Sequence, residues 1–253
     1  MAVGRTVQKH VRFYADGYDL SGFSRSIGPL DVTFEEQPDA AFTDELKNIL
    51  PGHCSINIGQ LNGFFDNTAT SGLHAVANGA GVKRVVMIPV GIRAAPAVGD
   101  PAFCGEFEQQ GYYPEIAENY ITVNIPFGGT SNRAATLAYT IPWGRMLHAK
   151  AAETAANSAT GGVDNSAASA LGGYFVYQVF AGNGTATLSV DDSADDSTYL
   201  ALSGATSGSI DCSTPTAGII PLGLTATVRR YLRWQLALGT ATTVTFAAAF
   251  VRR

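Results

Sequence analysis

Arg229-Arg230-Tyr231-Leu232-Arg233-Trp234-Gln235-Leu236-Ala237-Leu238 decides the fold class of this chain. Arg230, Leu232, Trp234, Leu236 and Leu238 alternate with Arg229, Tyr231, Arg233 and Gln235, and this two-residue period gives one mostly apolar and one mostly polar face. Gly239-Thr240-Ala241-Thr242 follows as a short turn. Val244, Phe246, Ala248 and Phe250 then alternate with Thr243, Thr245, Ala247 and Ala249, so 228–253 reads as one amphipathic β-hairpin. Arg252 and Arg253 leave a charged end on the last strand, which discourages unplanned strand pairing. Burial of the Leu232, Trp234, Phe246 and Phe250 face in a core is the expectation.

Working upstream, Tyr174 to Ala181, the turn Gly182-Asn183-Gly184 and Thr185 to Val190 read as a second hairpin, with Ala186, Leu188 and Val190 on one face. Segments 199–202 and 219–222 add short strands at sandwich-like spacing. Toward the N-terminus, strands are predicted at 11–14, 30–34, 55–61, 82–90, 120–126 and 134–141, between loops rich in Gly, Pro and Asn. Ala15-Asp16-Gly17-Tyr18 is turn chemistry. Over 42–50 the period changes: Phe42, Leu46 and Leu50 lie four apart, Thr43 is placed to cap, and Pro51-Gly52 ends the segment, which predicts one short helix.

Segment 94–118 has no clear period and reads as a long loop that is functional, is ordered by a partner, or carries secondary structure its pattern does not reveal. After Trp143-Gly144-Arg145, the stretch to Gly173 is dominated by Ala, Ser, Asn, Thr and Gly. The expected organisation is therefore a mainly β chain of sandwich or barrel type with one short helix: an N-terminal β domain over 1–143, a connector over 144–173, and a C-terminal sandwich-like domain over 174–253.

Composition limits function. The 253 residues are 46% apolar, enough for a sizeable core, but only 15% are charged against about 25% in an ordinary soluble domain. So bland a surface suits coverage by neighbours. A net charge of −5 argues against nucleic-acid binding through a broad basic face. Arg5, Lys9, His10 and Arg12 are not followed by the apolar run of a secretory signal, and no 18-residue apolar stretch occurs, so synthesis in the cytoplasm without a membrane span is expected.

Enzyme signatures are missing. His10, His53, His74 and His148 lack metal-ligand spacing, and no nucleophile elbow, phosphate loop or dinucleotide fingerprint occurs. Cys54, Cys104 and Cys212 are widely separated and read as incidental thiols, and Asn183-Gly184-Thr185 marks a surface turn. Asp191, Asp192, Asp195 and Asp196 form an acidic loop whose ligand class suits Ca²⁺, against the plainer reading of a solvated loop. Glu106, Glu108, Glu115 and Glu118 lie among Phe103, Phe107, Tyr112 and Tyr113, a pattern shared by sugar grooves and subunit interfaces. Alternation divides Arg229, Arg230 and Arg233 between two faces, which favours structural pairing over a phosphate patch. No catalytic, cofactor-binding or metal residue is assigned.

Five segments carry a family resemblance: Ala15-Asp16-Gly17-Tyr18-Asp19-Leu20-Ser21-Gly22, Leu50-Pro51-Gly52-His53, Trp143-Gly144-Arg145-Met146-Leu147-His148, Arg230-Tyr231-Leu232-Arg233 and Phe246-Ala247-Ala248-Ala249-Phe250. In order along the chain, they resemble the β-rich structural proteins of tailed bacteriophages, most of all tail tube proteins. That resemblance implies a non-enzymatic virion subunit that forms homo-oligomeric rings, often of six, stacked around a channel through which DNA passes without specific binding. It implies no cofactor and no small-molecule substrate. The segment before Val11 and the loop 94–118 would reach neighbouring subunits. The weakly packed 151–170 stretch fits a tube subunit less well and keeps two other readings open, a capsid decoration protein and a carbohydrate- or receptor-binding virion module.

Overall fold

The computed structural model describes residues 6–39, 48–92, 94–116, 118–130 and 141–253. The fold is mainly β, as its periodicity predicts, with curled antiparallel sheets. Among the described residues there is a large 13-stranded sheet and a smaller one of five strands.

The smaller sheet is built on Tyr231–Leu238, paired with Thr185–Ser193, which pairs in turn with Leu200–Asp211. The large sheet runs from Thr216–Pro221 through Gly173–Gly182, Val244–Arg252, Trp143–Glu153 and Pro101–Gln109 to Val82–Pro89 and the small Tyr14–Ala15/Tyr18–Asp19 hairpin. From Pro101–Gln109 it branches through Ile121–Thr130 to Asn48–Phe64, the longest strand, which also holds Ser24–Ile27 and Leu30–Asp39.

The predicted strands of the closing segment form, but they are not a hairpin. Tyr231–Leu238 lies in the small sheet, whereas Val244–Arg252 lies in the large sheet between Gly173–Gly182 and Trp143–Glu153. The predicted 174–190 hairpin divides in the same way. Each pair is an arch, and the two arches lie against each other, one contributing Val190 opposite Trp234 in the small sheet and Val179 opposite Phe246 in the large one, with Trp234 and Phe246 both from the other. The reason is packing. A hairpin would put both apolar faces on one side of one sheet and need a further layer to cover them, whereas an arch turns them toward each other. The core between the sheets accordingly holds Phe175, Leu188, Val190, Leu232, Trp234, Leu236, Phe246 and Phe250.

The corner where the arches meet uses the turn residues. Asn183 Oδ1 accepts from the Thr242 and Thr243 amides at 2.8 and 3.2 Å, and Thr240 Oγ1 accepts from the Thr185 amide at 2.9 Å. The Ala247-Ala248-Ala249 run follows from position: Val244–Arg252 is a central strand buried on both faces, and small side chains let layers approach from each side.

A second core under the N-terminal half gathers Phe13, Ile56, Ile58, Leu73, Ile88, Phe103, Phe107 and Ile125. A third joins the halves, with Tyr14, Val85, Met87 and Cys104 packed with Met146, Tyr174, Val176 and Ala249. The expected connector 144–173 therefore begins as a strand. Trp143–Glu153 pairs with Pro101–Gln109 on one side and with Val244–Arg252 on the other, burying Met146, Leu147 and His148 while Ala151 and Ala152 at its end are exposed.

The expected loop 94–118 also contains strands, Pro101–Gln109 and Tyr113–Ile116, because buried residues on both faces of the first hide its alternation. Part of the expected 42–50 helix, and the expected strand 134–140, lie outside the described residues. Where that helix enters the described region, Asn48, Ile49 and Leu50 are strand, paired with Asp39, Pro38 and Gln37. The described α-helix is instead Leu73–Ala77, which buries Leu73 and Ala77. Among the described residues no helix is long and apolar enough to cross a membrane.

Candidate functional site

The Leu30–Asp39 and Asn48–Phe64 strands form an antiparallel pair that outruns the rest of the sheet. Its root is fixed by Ile56 and Ile58, buried in the N-terminal core, with Leu30 packed beside them. Ile121–Thr130 supports the long strand only from Ile58, opposite Phe127, to Phe64, opposite Thr122. From Asp31 opposite Asn57 to Asp39 opposite Asn48, neither strand has another partner strand among the described residues. At about 3.4 Å per residue this is a two-stranded ribbon roughly 25 to 30 Å long.

Its composition agrees with free edges. Pro38 and Pro51 lie within it, opposite Ile49 and Glu36, and a proline without an amide donor is confined to edge strands. Val32 and Phe34 are exposed, Phe34 to 49%, beside exposed Glu36. An unsupported two-stranded ribbon is marginal in water.

Both strand roots, 30–34 and 55–61, are legible in the sequence, whereas 48–50, expected as the end of a helix, is strand. The signal available was the pair of prolines.

The other candidate residues become structural once placed. Asp191 and Arg233 are directly opposite on neighbouring strands. Asp191 Oδ2 accepts from Arg233 Nε and NH2 at 3.1 and 2.9 Å and from Gln235 Nε2, while Arg233 lies 4.0 Å over the Tyr199 ring. Asp192 accepts from the Arg229 amide at 2.9 Å. Arg230 donates two bonds to Asp164, at 2.7 and 2.6 Å, which hold that carboxyl down to about 2. Two carboxylates of the acidic loop, Asp191 and Asp192, are thus paired with Arg233 and Arg229, while Arg230 pairs with Asp164 outside that loop.

Asp195 and Asp196 close turns. Asp195 Oδ1 accepts from the Thr198 and Ser197 amides and from the Ser193 hydroxyl, bonds that hold it well below the usual carboxylate range. Asp196 Oδ1 accepts from the Gly162 amide and the Tyr199 hydroxyl. Among the described residues, no group of three or more His, Cys, Asp or Glu side chains is arranged to hold a metal.

Glu106, Glu108 and Glu115 do not line a groove with Phe103 and Phe107. Phe103 and Phe107 are fully buried and stacked, with centroids 5.8 Å apart, while Glu106 occupies the alternate face of the same strand. Tyr112 meets His74 through its hydroxyl at 3.1 Å. Tyr113, Glu115 and Ile116 are exposed on a short strand, and Glu118 is exposed beyond it. Cys54, Cys104 and Cys212 are free thiols. Thr6 to Val11 lies against its own chain: the Thr6 hydroxyl donates to the Gly91 carbonyl, and Val11 bridges to Val90.

The class defined by this geometry is an antiparallel two-sheet β protein carrying an extended ribbon. No protein-family model matches the chain, and no curated protein matches it. Among solved structures it is similar to SPP1 Dit (gp 19.1), described as a paradigm of the hub adsorption apparatus in Gram-positive-infecting phages. That match has 9% identity, covers 95% of this chain and 98% of that chain, and has a TM-score of 0.36. A second similarity, to the infectious bursal disease virus Gx strain structure, has 10% identity, 98% and 69% coverage and a TM-score of 0.24. Both scores lie below what a shared fold gives, and neither likeness bears on function.

Proposed function

We propose that this chain is a non-enzymatic structural subunit of a phage virion that self-assembles into the tail, as rings around a channel through which DNA passes without specific binding. The observation that carries the assembly reading is the ribbon. Among the described residues its strands, from Asp31 to Asp39 and from Asn48 to Asn57, pair only with each other, and it exposes Val32 and Phe34. A second copy supplies a cover and an edge partner that no other described strand does. The tail assignment rests on the family resemblance of the five sequence segments, and the low charge density of the chain suits a surface covered by copies of itself.

Negative-stain electron microscopy with light scattering on purified protein tests this reading. Rings or tubes with a central hole are expected, and they should vanish when 34–54 is replaced by a tight Asn-Gly turn linking the opposed Thr33 and Ser55, while the melting curve stays cooperative. A monomer at every concentration, binding only to phage heads, would replace the tail reading with a decoration protein.

A further inference from the structure

Two adjoining depressions flank the segment containing Gln8 and Val11, which line both. One, of about 300 Å³, is walled by Val11, Ile27, Leu30, Ile88 and Val90. The other, of about 380 Å³, gathers Lys9, Arg12 and Arg25 and has no carboxylate in its lining, in a chain whose net charge is −5. Arg12 is oriented by donating from NH1 to the Lys9 and Val11 carbonyls at 2.8 and 3.0 Å. Arg25 lies over the Phe64 ring at 5.4 Å. None of these three cations has a carboxylate partner among the described residues.

The strand Ser24–Ile27 borders both depressions, with Ser24 and Arg25 on the cationic one and Ser26 and Ile27 on the apolar one. It pairs on one side with Asn48–Phe64 and has no second partner strand among the described residues. An apolar pocket, a cationic pocket and an open strand edge together suit an extended segment that carries an apolar and an acidic side chain close in sequence.

The ribbon is such a segment. Phe34 and Glu36 are exposed and two residues apart on one strand, about 7 Å. The ribbon of the same copy is rooted at Leu30, itself in the wall of the apolar pocket, and runs outward, which carries Phe34 about 13 Å beyond that wall. Resting on the assembly reading above, we propose that the paired depressions receive the ribbon of a second copy, with Phe34 entering the apolar pocket and Glu36 the cationic one. The contact joins two different patches and is therefore heterologous, the kind that propagates into a ring or a stack.

Charge reversal in the full-length chain tests this. Lys9 and Arg25 are exposed, so Lys9→Glu with Arg25→Glu should leave the melting curve near that of the unaltered protein. In sedimentation velocity this groove variant should associate at least ten-fold more weakly, and Glu36→Lys should do the same. Combining the reversals should restore association, and Phe34→Ser should weaken it without any effect of salt on the loss. A groove variant that assembles like the unaltered chain, or a combined variant that stays folded and dissociated, overturns this contact while leaving the assembly reading intact. An unaltered chain that never assembles overturns both.

Discussion

Trp234 and Phe246 meet edge to face across the two sheets, with ring centroids 5.5 Å apart and planes at 74°. The residues are twelve apart in sequence and stand on the facing strands of one arch. Trp234 is 6% exposed and Phe246 fully buried. Trp234→Ala is expected to cost about 3 to 5 kcal/mol in denaturant unfolding, the range for emptying a buried aromatic site. A double-mutant cycle with Phe246→Leu should show a coupling of about 0.5 to 1.5 kcal/mol. An unchanged midpoint for Trp234→Ala would refute the arch.

His148 extends this aromatic contact. Its ring stacks on Phe246 at 4.0 Å and meets Trp234 at 4.5 Å, with Nδ1 3.1 Å from the Phe246 carbonyl and Nε2 3.2 Å from Glu153 Oε1. Burial lowers its pKa, and the hydrogen bonds and the Glu153 charge oppose that shift without cancelling it. The unfolded chain therefore binds a proton at higher pH than the folded one. Stability should be fully present above the ordinary histidine value of about 6.5, and should fall with pH until the folded ring also protonates. Unfolding free energies measured from pH 8 to pH 5 should show this slope, and His148→Phe should flatten it. A His148-dependent rise in stability on acidification would contradict the argument.

Gln178 ties the halves of the chain together. Fully buried, it accepts from the Gly17 amide at 2.6 Å and donates to the Val85 carbonyl at 2.8 Å. Gln178→Leu strands the Gly17 donor, at a cost of about 1 to 3 kcal/mol. With a third core and a shared sheet joining the halves, calorimetry of the unaltered protein should show one unfolding transition. Two separate transitions would restore the division into independent domains.

The acidic loop should ignore calcium. Asp191 and Asp192 are engaged by Arg233 and Arg229, and Asp195 and Asp196 accept from turn amides and hydroxyls. Millimolar Ca²⁺ or a chelator is expected to leave Tm unchanged. A Ca²⁺-dependent rise abolished by Asp195→Asn would reverse this assignment.

Alternation was readable wherever one face of a strand was buried and the other was not, as over 185–190 and 231–236, where burial switches residue by residue. It failed where both faces were buried. Pro101–Gln109 has two buried faces and reads as a loop, whereas the Ala-rich end of Trp143–Glu153 is largely exposed and carries no apolar alternation to read. The ribbon was harder to read for the opposite reason: its described residues 31–36 are mostly exposed, and no core imposes a pattern on them.

A period of two reports which side of a strand meets a core, and from that the sequence by itself determined a mainly β chain, the faces of its closing strands and the division of Arg229, Arg230 and Arg233 between two faces. It carries no information about which strand lies alongside. The tertiary structure alone decided that Leu232 and Trp234 face Phe246 and Phe250 from an opposing sheet, that Asp191 stands opposite Arg233, and that Phe34 and Glu36 stand on a ribbon beyond the body of the fold. Each is a long-range relation, fixed by the requirement that apolar faces and buried charges find partners somewhere in the chain, or on the next copy of it.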